Sequence, residues 1–563
     1  MKTFIDFFCG GGGFSLGFYQ QGFKPIRGID SWEPAIKTHN LNFGLNDTKK
    51  NVLDFENIEE IENLEDSDII IGSPPCVSFS LSNKAGNADK SLGIRLIETF
   101  LKVVAVKKHK KNSILKAWYM ENVPNSKNFV KEFYTFKDLN LENFAIENNL
   151  NVNDIALHCK GKVLNSNDYG SPQKRERFIC GEYIERLDNL LTECNKQSIA
   201  CKKIISNEFL EPEKVDSKKV LKDILNYIPN SINNIKIKDP NYNLFIEDNE
   251  LTDQYYDTGL SRLEWEKAKR DKENHLFGGI MSFPENLDKP SRTIMATKSG
   301  STRESMILKG KGKGNGEYRL PTIREIASLM GFPFVFNFYG SESTKWRQVG
   351  NAVCPHMSFA LAKEIKKKID PFNIVEHDNI NFEELIKNNK ENKSFINLNG
   401  QQKVYKEINR KNIKFRRHFF KYNGIVISLS NYKFDNKVVD GSWYIYINVG
   451  TGKSYKSYLI EKDIYKKIEL LETKYQKEFN LFNSLVKELF KIGIPNDNLK
   501  QKLYDEDNRE NCLDLETFFE KGKITLDNFD AKLSVEQDFF LERENLPLQQ
   551  IFALHLISLY LNN

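Results

Sequence analysis

Four short stretches of the chain carry side chains whose types and spacing could do chemistry. The first is Gly72-Ser73-Pro74-Pro75-Cys76-Val77-Ser78-Phe79-Ser80. Its two prolines restrict the backbone and hold the thiol that follows them. A buried structural cysteine is the plain alternative, but Cys76 follows the apolar run of residues 68–72 and stands in a stiff loop at a strand's carboxyl end. That setting favours a nucleophile. The second stretch is Met120-Glu121-Asn122-Val123, preceded by Ala117-Trp118-Tyr119. A glutamate in an open loop would be solvated; one behind this apolar run is buried, and burial lets it hold a proton near neutrality. In the third, residues 168–177, an extended backbone points Arg175 and Arg177 to one side. They would then form an anion or carbonyl clamp, with a solvated charged loop as the bland alternative. The fourth is Asp6-Phe7-Phe8-Cys9-Gly10-Gly11-Gly12-Gly13-Phe14, a glycine turn ahead of a helix, where backbone can approach a ligand. Ser15 and Leu16 stand where a strict dinucleotide fingerprint needs its third glycine, and Asp30 closes the next strand, where an acid commonly binds ribose hydroxyls.

The elements that must position these groups follow from the pattern of apolar runs. Residues 3–8, 25–30, 68–72, 118–122 and 177–180 read as short strands separated by helical stretches, which implies a parallel, doubly wound α/β sheet. Ligands of such sheets bind outside the carboxyl ends of the strands, where the glycine, proline and glutamate stretches lie. From about 184 to 290 the rhythm dissolves into Lys/Asn-rich chain with several prolines. Order returns at 289–297, at a helix near 322–330, and at 351–368, read as one amphipathic helix ending in lysines. Residues 376–412 are polar and read as linker; strands are expected near 424–429 and 442–449, a long helix over 460–491 and a packed helix near 551–561.

At 563 residues the chain is too long for one core. A net charge of +5 means that any nucleic-acid surface must be a local patch. Eight cysteines form no C-x-x-C and no zinc spacing, which fits reduced thiols in a cytoplasm and no metal. Asp6 and the glycines break the early apolar run, so it is not a signal peptide, and no stretch is long enough to span a bilayer.

Together the motifs resemble the DNA (cytosine-5) methyltransferase family of bacterial restriction–modification systems. The resemblance runs in order through the glycine loop, Pro75-Cys76, Glu121-Asn122-Val123, Gln173-x-Arg175-x-Arg177, Ser291-Arg292-Thr293, Pro321-Thr322-x-Arg324-Glu325, Gly331-Phe332-Pro333 and Gln348-Val349-Gly350-Asn351-x-Val353. It implies an S-adenosylmethionine-dependent, Rossmann-like catalytic domain, residues 1–183 plus 346–370, and a smaller target-recognition domain, 184–345. A linker, 371–412, and an α+β accessory domain, 413–563, would follow. It further implies that Phe8, Gly10, Gly12, Gly13 and Pro75 cradle the cofactor, that Asp30 binds its ribose and Asp54 its adenine, and that Asn351 and Val353 close the pocket. Cys76 would attack C6 of a flipped-out cytosine in duplex DNA, Glu121 would engage N3, and Arg177, with Arg175 near it, would contact the base carbonyl and flanking backbone. The enzyme would act as a monomer on DNA in a bacterial cytoplasm. Two departures stand out: Val77 replaces the glutamine that often follows the nucleophile, and residues 89–97 match the next motif loosely, including Leu96 as a cofactor contact.

Rival readings each lack a part. An exocyclic-amino methyltransferase would carry an aromatic residue where Cys76 stands, and the tRNA-modifying branch would carry Cys-Phe-Thr. A silent DNA-binding regulator would not need Cys76, Glu121 and Arg177 together. In the C-terminal region, Glu472-Thr473-Lys474 fits a nuclease pattern but reads better as a solvated face. Lys414, Arg416, Arg417 and Lys421, interleaved with Phe415, Phe419 and Phe420, favour an accessory binding role.

Overall fold

The computed structural model describes residues 1–75, 90–186, 204–216, 218–260, 262–273, 279–310 and 317–391, then 417–422, 425–430, 442–449, 456–459 and a few single positions. They belong to two compact units, Met1–Lys403 and Val404–Asn563.

In the first unit short strands alternate with helices: β1 (Thr3–Phe7), α1 (Gly13–Gln20), β2 (Lys24–Ile29), α2 (Glu33–Phe43), α3 (Ile58–Glu62), β3 (Ile69–Gly72), α4 (Lys90–His109) and β4 (Ala117–Asn122). The strands β5 (Phe133–Thr135) and β6 (Ile155–His158) pair on either side of α5 (Glu142–Glu147); β7 (Gly161–Asn165), β8 (Glu176–Arg186) and β9 (Ile204–Glu208) follow. The main sheet has the order β2-β1-β3-β4-β8-β7, with β9 on β8. Helices cover both of its faces, so the central strands are apolar on both sides. Phe4, Ile69, Ile71, Ala117 and Tyr119 enter one core with Phe14 and Leu16, while Ile5, Phe7, Ile70, Trp118 and Met120 enter the other with Phe100 and Val104.

The doubly wound α/β architecture is the expected one, with a change of sense at its far edge. The strands β2, β1, β3 and β4 run parallel; β8 is antiparallel to both β4 and β7. A parallel neighbour needs a crossover of a dozen or more residues, whereas only residues 166–175 separate β7 from β8. The reversal lays the start of β8 beside the end of β4, with Asn122 opposite Phe178 and Glu121 opposite Ile179.

Past β9 come α6 (Lys222–Leu225), the antiparallel pair β10 (Lys236–Lys238) and β11 (Phe245–Glu247), α7 (Arg262–Glu273) and a second pair, β12 (Leu308–Lys309) and β13 (Tyr318–Arg319). Leu260, Ala268, Ile307 and Leu320 form a small core of their own here. Three helices follow: α8 (Ile323–Met330), α9 (Glu342–Asn351) and α10 (Pro355–Ile369). A capping box starts α8: the Thr322 hydroxyl accepts from the Glu325 amide, and the Glu325 carboxylate accepts from the Thr322 amide. Residues 351–368, expected as one helix, are divided between two. Asn351 ends α9, and Pro355, which has no N–H to give, opens α10 at its first turn.

The segment from residue 371, expected as linker, carries α11 (Glu383–Glu391) over its described part, with Phe382 and Leu385 buried. Its Asn/Lys-rich composition conceals an apolar stripe, Phe382, Leu385 and Ile386, spaced for one face of a helix. In the second unit β14 (Arg417–Tyr422), β15 (Ile425–Ser430), β16 (Tyr444–Val449) and β17 (Lys456–Leu459) form an antiparallel sheet in chain order, burying Leu429, Trp443 and Ile445. Apart from single positions, the helices expected over 460–491 and 551–561 lie outside the described residues, as do Glu472, Thr473 and Lys474. Lys414, Phe415 and Arg416 also lie outside them, whereas Arg417, Phe419, Phe420 and Lys421 fall on β14. Among the described residues no helix is long and apolar enough to cross a membrane.

Candidate active site

The carboxyl ends of β1, β3 and β4 deliver the glycine, proline and glutamate stretches, the end of β2 delivers Asp30, and the arginine stretch leads into the start of β8. At the end of β4, Glu121 is 6% exposed. The Arg177 Nε lies 2.8 Å from its Oε1, an approach made possible by the reversed direction of β8. Burial pushes the Glu121 carboxyl up from the ordinary glutamate range, against the pull of the Arg177 and then the Arg175 guanidinium.

The loop after β3 is anchored at both sides of its start. The Ser73 hydroxyl donates to the Phe8 carbonyl (3.1 Å), and the Asn122 Nδ2 donates to the Pro74 carbonyl (3.1 Å). Ser73 and Asn122 thus tie the proline loop to the glycine loop and to Glu121. Sequence reasoning gave neither a role; the only signal was their place at strand ends. Pro75 is exposed, and the description stops there: Cys76 and Val77 lie outside the described residues.

Arg175 and Arg177, expected to act side by side, have different partners. The Arg175 guanidinium is buried and donates to the carbonyls of Ile294 (3.3 Å), Gly350 (2.9 Å) and Ala352 (3.0 Å). Next to it, the Gln173 Oε1 accepts from the Ile294 amide (3.1 Å), and the Lys174 amide donates to the Ser291 carbonyl (2.8 Å). Three motifs far apart in sequence, around 173–177, 291–294 and 350–353, therefore meet behind the Glu121–Arg177 pair.

The glycine loop forms a cradle. Phe8, Gly10 and Gly12 all have positive φ (55°, 52° and 79°), and Gly12 is the N-cap of α1. A Cβ on Gly10 would meet nothing nearer than the Phe8 carbonyl at 3.7 Å, so the loop opens there onto free space that a ligand can fill. Gly13 is closed in: a Cβ would sit 2.1 Å from the Val353 carbonyl oxygen, and Val353 is buried. Asp30 receives the Gly10 amide (3.0 Å) on one carboxylate oxygen and the Trp32 amide (2.8 Å) on the other. Burial raises its pKa while the Trp32 and Gly10 amides pull it down. The Lys50 amide donates to the Asp30 carbonyl (2.9 Å), which brings up the short turn Val52–Glu56 with Asp54 exposed on it. Asn351 is exposed at the end of α9, the helix whose Gln348 packs on Gly11. A hydrogen-bonding acid, open glycine backbone and exposed polar groups suit an adenosine-type cofactor. Two features here went unforeseen. The Arg347 guanidinium lies 5.1 Å from the Trp32 ring centre, and a buried chain runs from Asp6 through the Ser15 hydroxyl (2.6 Å) to His39 Nε2 (2.9 Å). Among the described residues no group of three or more His, Cys, Asp or Glu side chains could hold a metal ion.

A family model described as C-5 cytosine-specific DNA methylase matches residues 2–367. A type II methyltransferase of Methanothermobacter thermautotrophicus is 29% identical over 65% of this chain and 97% of its own length. One from Herpetosiphon aurantiacus is 39% identical over 23% of this chain and 94% of its own. Among solved structures, a methyltransferase of Entamoeba histolytica is 16% identical, covering 66% of this chain and 99% of that one, with a TM-score of 0.40.

Proposed function

Because the chain belongs to the C-5 cytosine-specific DNA methylases, we propose that it transfers a methyl group from S-adenosylmethionine to C5 of a cytosine flipped out of a specific duplex sequence. The observation that carries this reading is the buried Glu121–Arg177 pair, bound through Asn122 to the loop that leads into Cys76.

C5 of cytosine is a poor nucleophile, and these residues remedy that. The Cys76 thiolate adds to C6, and the electron pair moves to C5 as in an enamine. Glu121 hydrogen-bonds N3 and neutralises the charge that develops there, while Arg177 keeps the carboxyl in place and faces O2. S-adenosylmethionine, when bound, supplies the electrophilic methyl group. After the C5–methyl bond forms and the donor's sulfur keeps the pair of the broken methyl–sulfur bond, water takes the C5 proton, the C5–H pair restores the C5–C6 double bond, and the Cys76–C6 bond breaks to release the thiolate. Phe8, Gly10, Gly12, Gly13, Asp30, Asp54, Pro75, Asn351 and Val353 hold the cofactor. Arg175, bonded to three backbone carbonyls, serves as a positioning residue for that pocket. The buried setting of Glu121 supports base flipping, since a base paired within a duplex would not reach it. Residues 184–345 read the target sequence, and the enzyme acts as a monomer on DNA in the cytoplasm, as the modification partner of a restriction enzyme.

A duplex carrying 5-fluorocytosine at the target tests the covalent route, since fluorine blocks the final elimination. Wild type should form a denaturant-stable adduct and Cys76→Ala none, with cofactor binding retained. An adduct in the Ala variant, or substantial methylation by it, would overturn the mechanism.

A further inference from the structure

We infer that residues 375–389, which follow the last residue matched by the family model, form a strap that sets the position of the glycine loop, with Asn389 as its main positioning residue. The inference rests on reading that loop as the cofactor site.

The strap is held along its whole length. Val375 exchanges two hydrogen bonds with the Gln21 side chain at the end of α1 (2.8 and 3.2 Å). His377 stacks on Tyr242, with ring centres 5.1 Å apart, and on His356, at 5.4 Å. The Tyr19 hydroxyl donates to Glu384 (3.1 Å). Leu385 is fully buried on the inner face of α11. At the far end the Asn388 Nδ2 donates to the Asn42 carbonyl (3.1 Å), and the Asn389 Nδ2 donates to the Val335 carbonyl (2.8 Å) with the Asn42 Oδ1 at 3.4 Å.

Asn42 passes this on. Its Nδ2 donates to the Asn337 carbonyl (2.8 Å), and its Oδ1 accepts from the Asn337 amide (3.1 Å). Asn389, which also donates to the Leu385 carbonyl of its own helix (3.0 Å), therefore holds Val335 directly and reaches Asn337 through Asn42, the residue before Phe43, so that both residues flanking Phe336 are tied to the strap. Those two rings are what Gly12 leans on: a Cβ there would lie 3.0 Å from Phe43 and 3.3 Å from Phe336. Gly12 is also the left-handed residue that turns the loop into α1. Three asparagines thus transmit the position of a helix outside the family match to the backbone that faces the cofactor.

The test uses the full-length protein. Asn389→Leu keeps the volume and removes the donor; Asn388→Ala and Glu384→Ala perturb the strap at less buried points. S-adenosylmethionine affinity is measured by calorimetry, amide exchange is followed at residues 10–13, and kcat and the KM for DNA are measured at saturating cofactor. Asn389→Leu should weaken cofactor binding about tenfold, the change that a coupling of one hydrogen bond's magnitude gives. The glycine amides should exchange faster, with kcat and the KM for DNA unchanged. A lower melting temperature with unchanged cofactor affinity would overturn the inference, leaving the strap as packing only. If Asn389→Leu does not fold, unchanged affinity in both milder variants overturns it equally. Wild type that binds no S-adenosylmethionine would instead refute the cofactor reading on which the inference stands.

Discussion

Arg175 and Arg177 share residue type and strand parity yet end on different chemistry, one on backbone carbonyls and one on a carboxylate. Residue types along the chain made Glu121 and Arg177 legible, because an acid behind an apolar run and an alternating cation are marks that side chains leave. The partners of Arg175 were not legible, since carbonyls of Ile294, Gly350 and Ala352 are present at every position of any sequence. Glu121→Gln keeps the shape but loses the exchangeable proton. It should lower kcat by about 10²–10³, the scale of removing one transition-state hydrogen bond, with cofactor affinity unchanged; single-turnover transfer of labelled methyl measures it, and a near-normal rate would remove Glu121 from the chemistry. Asp6 is another buried acid, read in the sequence as the start of a motif and as a break in the early apolar run. Burial pushes its pKa up to about 8, with the Ser15 hydroxyl pulling down and Asp30 pushing up. A folded pKa above the unfolded value means that the group's contribution to stability is full in acid. It is lost as pH rises between about 4 and about 8. Asp6→Asn should flatten that decline in urea midpoints measured across the interval, and parallel wild-type and variant curves would show that Asp6 is not the group responsible.

Among the elements, the parallel half of the sheet was legible because buried parallel strands are continuous apolar runs, such as Ile69–Gly72. The reversal at β8 was not, because strand direction depends on connection length and not on the residues of the strand itself. The division between α9 and α10 was marked by Pro355, whose effect competes with an amphipathic pattern that continues across it. Contact between α1 and the chain entering α10 is close enough to test directly. Gly13→Ala places a methyl group against the Val353 carbonyl, so backbone must move. It should destabilise the protein by about 1–3 kcal/mol, as overpacking does, and weaken cofactor binding as well. Chemical denaturation and calorimetry read the two effects; full stability and affinity in the variant would mean that the loop is freer than its packing implies.

For the whole molecule, motifs and composition placed the end of the catalytic part near residue 370, because the family resemblance stops there. The compact unit instead runs to Lys403, since α11 returns to pack on its core. A chain ending at Lys403 should keep the cofactor affinity and the methylated sites of the full-length protein, mapped by bisulfite sequencing. One ending at residue 370 should melt at lower temperature, having lost Phe382 and Leu385. A changed target sequence in the longer truncation would assign base readout to the second unit and not to residues 184–345.

The pairing of β8 has a consequence for how such an enzyme can diversify. Along residues 178–180 this strand is bonded on both sides, to β4 and to β7. Arg177 lies upstream of that double seam, and the chain proposed to read the target lies downstream. Insertions, deletions or grafts between residues 186 and 291 that leave the 291–294 contacts to Gln173, Lys174 and Arg175 in place are therefore separated by this seam from the meeting of Arg177 and Glu121. New sequence preferences can be tried on one side of the seam while the reaction is kept intact on the other.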